Sequence, residues 1–185
     1  MLSYRHGFHA GNHADVLKHV ALVALLRILT RKDKPLVVLD THAGAGGYSL
    51  EGRYAQKKGE YLQGIALLWE RDDLPEPVAD YVARVREFNP AGALEQYPGS
   101  PAFARMVMRP GDPMCLFELH PTEHRILDSY LGGQRGVDVR HADGFDGLKS
   151  QLPPPSRRAL VLIDPSYEGH GDYARVVATL RDAVQ

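Results

Sequence analysis

The chain has 185 residues, 20.5 kDa, with 44% hydrophobic and 24% charged residues, which is the composition of a folded globular protein and excludes wholesale disorder. A single cysteine, Cys115, excludes a disulfide framework and a cysteine-based zinc ribbon and fits a reducing compartment, so the expected address is the cytoplasm. The longest apolar run, Val20 to Leu26, falls far short of the roughly 20 residues a bilayer span needs, and residues 1–6 carry no secretory-signal pattern.

The net charge of −1 is unevenly spread. Residues 1–35 carry Arg5, Lys18, Arg27, Arg31, Lys32 and Lys34 against Asp15 and Asp33, a balance of +4, together with His6, His9, His13 and His19. A polyanion suits such an arm, because neutralised phosphates release counterions; a solvated helix end carries the same charges equally well. The spacing of His6, His9 and His13 invites a zinc reading, but no cysteine lies nearby and no carboxylate completes a tetrahedral set, so no metal is expected.

In chain order, residues 1–11 read as a loop. Asn12 is an N-cap with Asp15 at the positive end of a helix that runs to about Leu29. Leu17, Val20, Ala21, Ala24, Leu25 and Ile28 form its expected apolar face, and Arg31–Pro35 stops it. Leu36–Asp40 is a buried strand opening into glycines. Gly47 to about Pro110 reads as helical material with no strand. Within it, Tyr61, Leu62, Ile65, Leu68 and Trp69 have helix spacing, Pro77–Phe88 is a second helix, and Ser100 caps a third with Pro101 at N1, ending near Met108.

Met114–Glu118 is a second strand, and a helix follows over about Glu123–Leu131. Gly136–Arg140 is a third, weaker strand, Arg158–Asp164 a fourth and the strongest, and Tyr173 onward is helical. Strands alternating with helices predict an α/β fold with a mostly parallel sheet and helices on both faces. Four strands are few for a doubly wound sheet, so the chain is expected to be an incomplete domain.

Open α/β sheets bind ligands beyond the carboxyl ends of their strands. Those ends carry Asp40-Thr-His-Ala-Gly-Ala-Gly46, Glu118, Asp143-Gly144 and Asp164-Pro-Ser-Tyr167. Gly44 and Gly46 permit a tight turn and a close backbone approach. Ser49 stands where a G-x-G-x-x-G fingerprint needs glycine, and no Gly-Lys-Ser/Thr follows, so neither a dinucleotide fingerprint nor a P-loop is present. An adenosyl ligand without phosphates accounts for both absences, with Glu118 accepting from the ribose hydroxyls and Asp143 from the adenine amino group. Taken singly, each feature has a plainer reading: a turn, a solvated strand end, or Asp143 capping a helix near Gly147.

Asp164-Pro165-Ser166-Tyr167 resembles the Asp-Pro-Pro-Tyr motif of adenine-N6 and cytosine-N4 methyltransferases. An adenine amino nitrogen is a poor nucleophile because its lone pair is delocalised into the ring. Asp164 and the Pro165 carbonyl can accept its N–H bonds, and Tyr167 offers a stacking face for an extruded base. Positioning then contributes most of the rate. Asp-Pro after a strand is also a common turn.

Further stretches carry a resemblance: Tyr4–His19, Leu39–Gly46, Tyr97-Pro-Gly-Ser-Pro101, Glu118-Leu-His-Pro121, Arg140–Phe145 and Leu162–Glu168. Together they make the chain similar to the RlmJ family, adenine-N6 methyltransferases of 23S ribosomal RNA, over essentially its whole length. The resemblance implies a class I, Rossmann-like methyltransferase domain over residues 1–185. Within it lie an N-terminal arm and helix over 1–34 and a helical insertion between strands one and two, about 48–110. Further strands of the family fold are expected beyond this chain's end. It implies S-adenosylmethionine as cofactor, bound by His19, His42, Gly44, Gly46, Ser100, Glu118, Asp143, Gly144 and Asp164. Asp164, with Pro165 and Tyr167, is the implied catalytic group, and Tyr4, His6 and Lys18 lie near the RNA. The implied substrate is one adenine of naked or partly assembled 23S rRNA, with a monomeric enzyme and no membrane. Ser166 departs from the family pattern, where a second proline is usual. A DNA adenine methyltransferase and a non-catalytic RNA-binding relative are the alternatives.

Overall fold

A computed structural model describes residues 5–184; the expected RNA contact Tyr4 lies outside them. The chain forms two compact units, one of residues 32–45 and 109–184 and one of residues 5–31 and 46–108.

The first unit is built on a sheet of four parallel strands, β1 (Val37–Asp40), β4 (Met114–Phe117), β5 (Val137–Arg140) and β6 (Ala159–Leu162), in the order β5-β4-β1-β6. Apolar runs mark β1, β4 and β6, and β4 is buried at all four positions, whereas β5, Val-Asp-Val-Arg, alternates and is the weakest of the four. Helices α6 (Pro121–Leu131), α7 (Gly144–Leu148) and α8 (Asp172–Ala183) follow β4, β5 and β6 in turn, which is the α/β alternation expected. Leu39, Cys115, Phe117 and Leu148 form a buried cluster, with Val161 and Ile163 packed against it. From β1 the chain moves to β4 and β5 on one side and returns to β6 on the other. The order therefore reverses beside β1, where ligands of open sheets bind.

The second unit holds α1 (His13–Leu29), β2 (Gly47–Ser49), α2 (Arg53–Lys58), α3 (Ala66–Trp69), α4 (Glu76–Phe88), β3 (Gln96–Pro98) and α5 (Ser100–Val107). This unit departs from the sequence expectation in four places. The described part of the expected loop over 1–11 is not plain loop, since His6–Phe8 form a 3-10 turn. The insertion is not strand-free: β2 and β3 pair antiparallel, Tyr48 opposite Tyr97, although at three residues each they are too short to show a period. Ser100 is the first helical residue of α5, and Gly99 is its cap.

Helix α1 packs through a face other than the expected one. Asn12 caps it as expected, its side chain accepting from the Asp15 N–H at 2.9 Å. Its buried stripe, however, is Asp15, His19, Leu22, Val23 and Leu26, while Leu17 is 74% exposed and Leu25 and Ile28 face solvent. The helix is apolar on several sides. The face that packs on α4 and α5 is chosen by two polar residues whose side chains find buried partners.

Candidate active site

The carboxyl ends of the four parallel strands build one edge of the sheet unit. At β1, Asp40 is buried and accepts from the His42 N–H at 3.1 Å. Thr41 ties this end to β6: its N–H and its hydroxyl both donate to the Leu162 carbonyl, at 3.0 and 3.1 Å. The hydroxyl oxygen also lies 2.8 Å from His42 Nδ1. Its one proton is given to Leu162, so it accepts from Nδ1–H, and His42 Nε2 keeps its lone pair. Burial lowers the His42 imidazole below the ordinary 6.5, against the pull of Asp143, Asp164 and Asp172, with Arg175 adding to the lowering. His42 is therefore neutral at pH 7.

The turn after β1 is braced from β4. The Ala43 N–H donates to the Phe117 carbonyl, and Gly44, at φ 61°, donates its N–H to Glu118 Oε2 at 2.8 Å. That φ favours glycine, because a Cβ would crowd the following carbonyl. Glu118 Oε1 accepts from the His120 N–H at 2.6 Å. A carboxylate has about four acceptor sites, so one lone pair on each oxygen remains for a ligand.

At β5, Asp143 caps α7, its Oδ1 accepting from the Phe145 N–H at 3.0 Å. The helix thus starts at Gly144, three residues earlier than the sequence suggested. A Cβ on Gly144 would lie 2.0 Å from the Thr41 carbonyl oxygen, so only glycine lets the β5 turn pack against the β1 end. Asp143 Oδ2 accepts from Arg175 of α8 at 2.9 Å, and the same guanidinium lies 4.3 Å from the centre of the Phe145 ring. On that ring His42 also packs, edge-on at 4.8 Å.

Beyond β6, Pro165 is buried, Ser166 is exposed and Tyr167 is 40% exposed. Tyr167 has φ 55°, a left-handed conformation that strains a bulky side chain by about 1–2 kcal/mol and recurs at functional sites. Its ring meets Tyr173 at 4.7 Å. Burial raises its phenol, with Asp164, Tyr173 and Asp172 adding to the effect. The Ser166 hydroxyl accepts weakly from the Glu168 N–H at 3.5 Å, so serine closes the turn that a second proline would stiffen.

The sheet unit therefore brings together His42, Gly44, Glu118, Asp143, Gly144, Asp164, Pro165 and Tyr167. The other expected positions, His6, Lys18, His19, Gly46 and Ser100, lie in the second unit. Gly46, at φ 80°, accepts from the Gly99 N–H, and Ser100 is buried at the start of α5. His19 is 1% exposed. Burial and the Lys18 charge hold its imidazole well below 6.5, with Asp15 opposing.

His6 Nε2 and Lys18 Nζ both grip the buried Asp15 carboxylate, at 2.8 and 2.9 Å. Burial works to raise that carboxyl, but the His6 and Lys18 charges and the His6 hydrogen bond hold it well below 3.8. His9 meets Glu60 at 2.8 Å. Among the described residues no group of three or more His, Cys, Asp or Glu is placed to hold a metal ion, and no helix is long and apolar enough to cross a membrane.

The second unit also carries a basic and aromatic ridge. Arg5 and Arg53 both donate to the Tyr54 hydroxyl and lie 5.3 and 4.8 Å from its ring centre. Lys57 and Lys58 lie 5.9 and 5.7 Å from the Phe8 ring centre, and Phe8 packs edge-on against Tyr54. Nothing in the sequence pattern singles out Arg53, Tyr54, Lys57, Lys58, Arg175, Tyr173 or the buried Tyr81, and Tyr97 entered only as the first residue of a family-like stretch. Phe145 had a signal, because it directly follows the Asp143-Gly144 pair at a strand end.

The family model described as ribosomal RNA large subunit methyltransferase D, RlmJ, matches residues 33–185. The chain belongs to this family. It is 50% identical over 182 residues to ribosomal RNA large subunit methyltransferase J of Escherichia coli (strain K12), covering 98% of this chain and 65% of that protein. It is 46% identical over 183 residues to the protein of the same name from Haemophilus influenzae, with 98% and 65% covered. A crystal structure of a protein from Legionella pneumophila matches with a TM-score of 0.88 at 42% identity, over 95% of this chain and 64% of that one. The chain spans about 65% of the length of these curated relatives. Its parallel sheet flanked by helices is the family's methyltransferase-like architecture, as the sequence motifs had implied.

The donor set of the sheet edge fits an adenosyl cofactor. Glu118 and Asp143 stand at adjacent strand ends, with acceptors suited to a ribose diol and an adenine amino group. The braced Gly44 turn brings backbone close to them, and the edge is acidic, which favours a cationic sulfonium.

Proposed function

We propose that the chain carries the catalytic core of an S-adenosylmethionine-dependent methyltransferase that modifies the N6 amino group of an adenine in 23S ribosomal RNA. The observation that carries this reading is the common edge: Asp40, Glu118, Asp143 and Asp164 end or follow four adjacent strands of one parallel sheet. The relatives' names, as large-subunit ribosomal RNA methyltransferases, support the substrate class.

In this reading Glu118 accepts from the ribose hydroxyls while keeping its two backbone N–H bonds. Asp143 accepts from the adenine amino group of the cofactor, in competition with Arg175. His42 and Gly144 complete the cofactor contacts of the sheet edge, and His19, Gly46 and Ser100 keep the cofactor role that the family resemblance implies for each of them. When bound, the cofactor would supply the methyl group from its sulfonium and become a thioether, and Asp164 would take the proton that the methylated N6 nitrogen releases. Asp164 and the Pro165 carbonyl accept the two N–H bonds of the target amino group and favour tetrahedral geometry at nitrogen. Tyr167, with Tyr173 beside it, stacks on the extruded base.

His6 and Lys18 are engaged with Asp15, so their expected role near the RNA is to order the arm that carries them. Phosphate contact falls instead to Arg5, Arg53, Lys57 and Lys58, whose charges and aromatic neighbours suit unpaired RNA. An accessible adenine is needed for extrusion, so the substrate is protein-free or partly assembled RNA, met in the cytoplasm by a monomeric enzyme.

The test is transfer of a tritiated methyl group from S-adenosylmethionine to protein-free 23S rRNA and, in parallel, to a DNA duplex, with Asp164→Ala as control. Label in N6-methyladenosine of the RNA, lost in the variant with cofactor binding kept, supports the reading. Label in DNA alone overturns the substrate, and unchanged turnover in the variant overturns the role of Asp164.

A further inference from the structure

We propose that Tyr97 and Tyr81 are positioning residues that hold the proton of His19 on Nε2, so that this nitrogen donates a hydrogen bond to an acceptor on the bound cofactor. The proposal rests on the reading of His19 as a cofactor contact and adds what prepares it.

All the groups lie in the second unit. His19 comes from the buried stripe of α1, Tyr81 from α4 and Tyr97 from β3, and the two tyrosines are 0% exposed. His19 Nδ1 is 2.8 Å from the Tyr97 hydroxyl, which is 3.0 Å from the Tyr81 hydroxyl. Phe103 of α5 packs on the His19 ring at 4.7 Å and stacks on Tyr81 at 5.4 Å, so the imidazole cannot rotate freely. His19 Nε2 is buried and has no hydrogen-bond partner among the described residues.

Counting protons fixes the direction of the chain. Each phenol has one proton to give, and a neutral imidazole has one donor nitrogen and one acceptor nitrogen. If Tyr81 donates to Tyr97 and Tyr97 donates to Nδ1, every phenol proton is used, and the only unmet group is an Nε2–H donor. If Nδ1–H donates to Tyr97 instead, one buried phenol proton is left without an acceptor and the Nε2 lone pair is unmet as well. Each such orphan costs about 1–3 kcal/mol. The first arrangement has one orphan and the second has two.

The two tyrosines therefore move the unmet valence of a buried network onto a single atom and make that atom a donor. A donor calls for an acceptor. S-adenosylmethionine offers its carboxylate as the strongest one, whereas its ammonium, a donor only, is excluded. Nε2 is closed to solvent, so an acceptor that reaches it gains a bond that water did not already supply.

The first measurement needs no variant and no cofactor: 15N chemical shifts of His19 in the ligand-free protein. The expected pattern is a protonated Nε2 and an unprotonated Nδ1; the reverse pattern overturns the proposal. The second measurement is calorimetric affinity for S-adenosylmethionine. Tyr97→Phe keeps the ring and removes the hydroxyl, so it should leave His19 as a mixture of tautomers and weaken binding about tenfold, the worth of one hydrogen bond. Tyr81→Phe, which leaves Tyr97 able to donate, should weaken it less. A wild type that binds while Tyr97→Phe binds equally well, with unchanged nitrogen shifts, refutes the positioning role. A wild type that binds no S-adenosylmethionine refutes the cofactor reading itself, and the two failures are thereby told apart.

Discussion

Replacing Glu118 by glutamine separates the two duties assigned to its carboxylate. In the folded chain it accepts from the Gly44 N–H at 2.8 Å and the His120 N–H at 2.6 Å. A glutamine side chain has one acceptor oxygen, so one of those N–H groups must face an NH2 group. Losing a hydrogen bond to a charged acceptor costs about 1.5–3 kcal/mol. For a chain of this size that corresponds to a fall in Tm of about 3–12 °C. The same substitution removes at least one charge-assisted bond to the ribose hydroxyls and should weaken S-adenosylmethionine binding by about 10–150-fold. Scanning calorimetry reads the first effect and isothermal titration the second. A Tm that falls while cofactor affinity stays within about twofold would reduce Glu118 to a brace for the turn and refute its place in the cofactor site.

Other outcomes follow from the same geometry. Gly144→Ala should destabilise the protein by about 3 kcal/mol, because its Cβ would lie 2.0 Å from the Thr41 carbonyl oxygen; a urea midpoint equal to wild type would contradict that close approach. Stability should fall as pH drops below about 6.5, because burial keeps His19 and His42 unprotonated in the folded chain while the unfolded chain takes up the protons. The unfolded state binds more protons in that window, so stability rises with pH, by up to about 1.4 kcal/mol per pH unit for each histidine. A His19→Gln variant should show a shallower dependence, and an unchanged slope would mean that His19 titrates normally. Charge reversal by Arg53→Glu with Lys57→Glu should weaken RNA association and lower the salt slope by about 0.7 for each phosphate left without its cation; binding with an unaltered slope would move the RNA elsewhere.

Much of the sheet unit was legible because β1, β4 and β6 are short apolar runs with an acid at or just past their ends, while β5 alternates and its acid, Asp143, comes three residues later. Parallel strands covered on both sides have that composition, and Asp40, Glu118, Asp143 and Asp164 mark where the apolar requirement ends. What stayed hidden depends on contacts distant in sequence. Arg175 meets Asp143 across 32 positions, and nothing near Arg175 marks it apart from other helix-surface arginines. His19 carried an expected cofactor role and Tyr97 opened a family-like stretch, but nothing in the sequence pairs them, 78 positions apart. On α1 the apolar pattern misled, since Leu17, Leu25 and Ile28 outnumber what the packed face required. Asp15 and His19, which a hydrophobicity count places outside, are buried because partners satisfy them. The Gly47–Ser49 and Gln96–Pro98 ladder escaped because three residues cannot display a two-residue period.

Amide chemical shifts followed during titration with S-adenosylmethionine test most directly whether the carboxyl edge of the sheet is the methyl donor's site. The largest changes are expected at Gly44, Glu118, Asp143, Gly144 and the residues flanking Asp164, rising together along one binding curve. Changes confined instead to the hollow lined by Leu148, Lys149, Leu152 and Thr179, or no saturable change at all, would contradict that assignment.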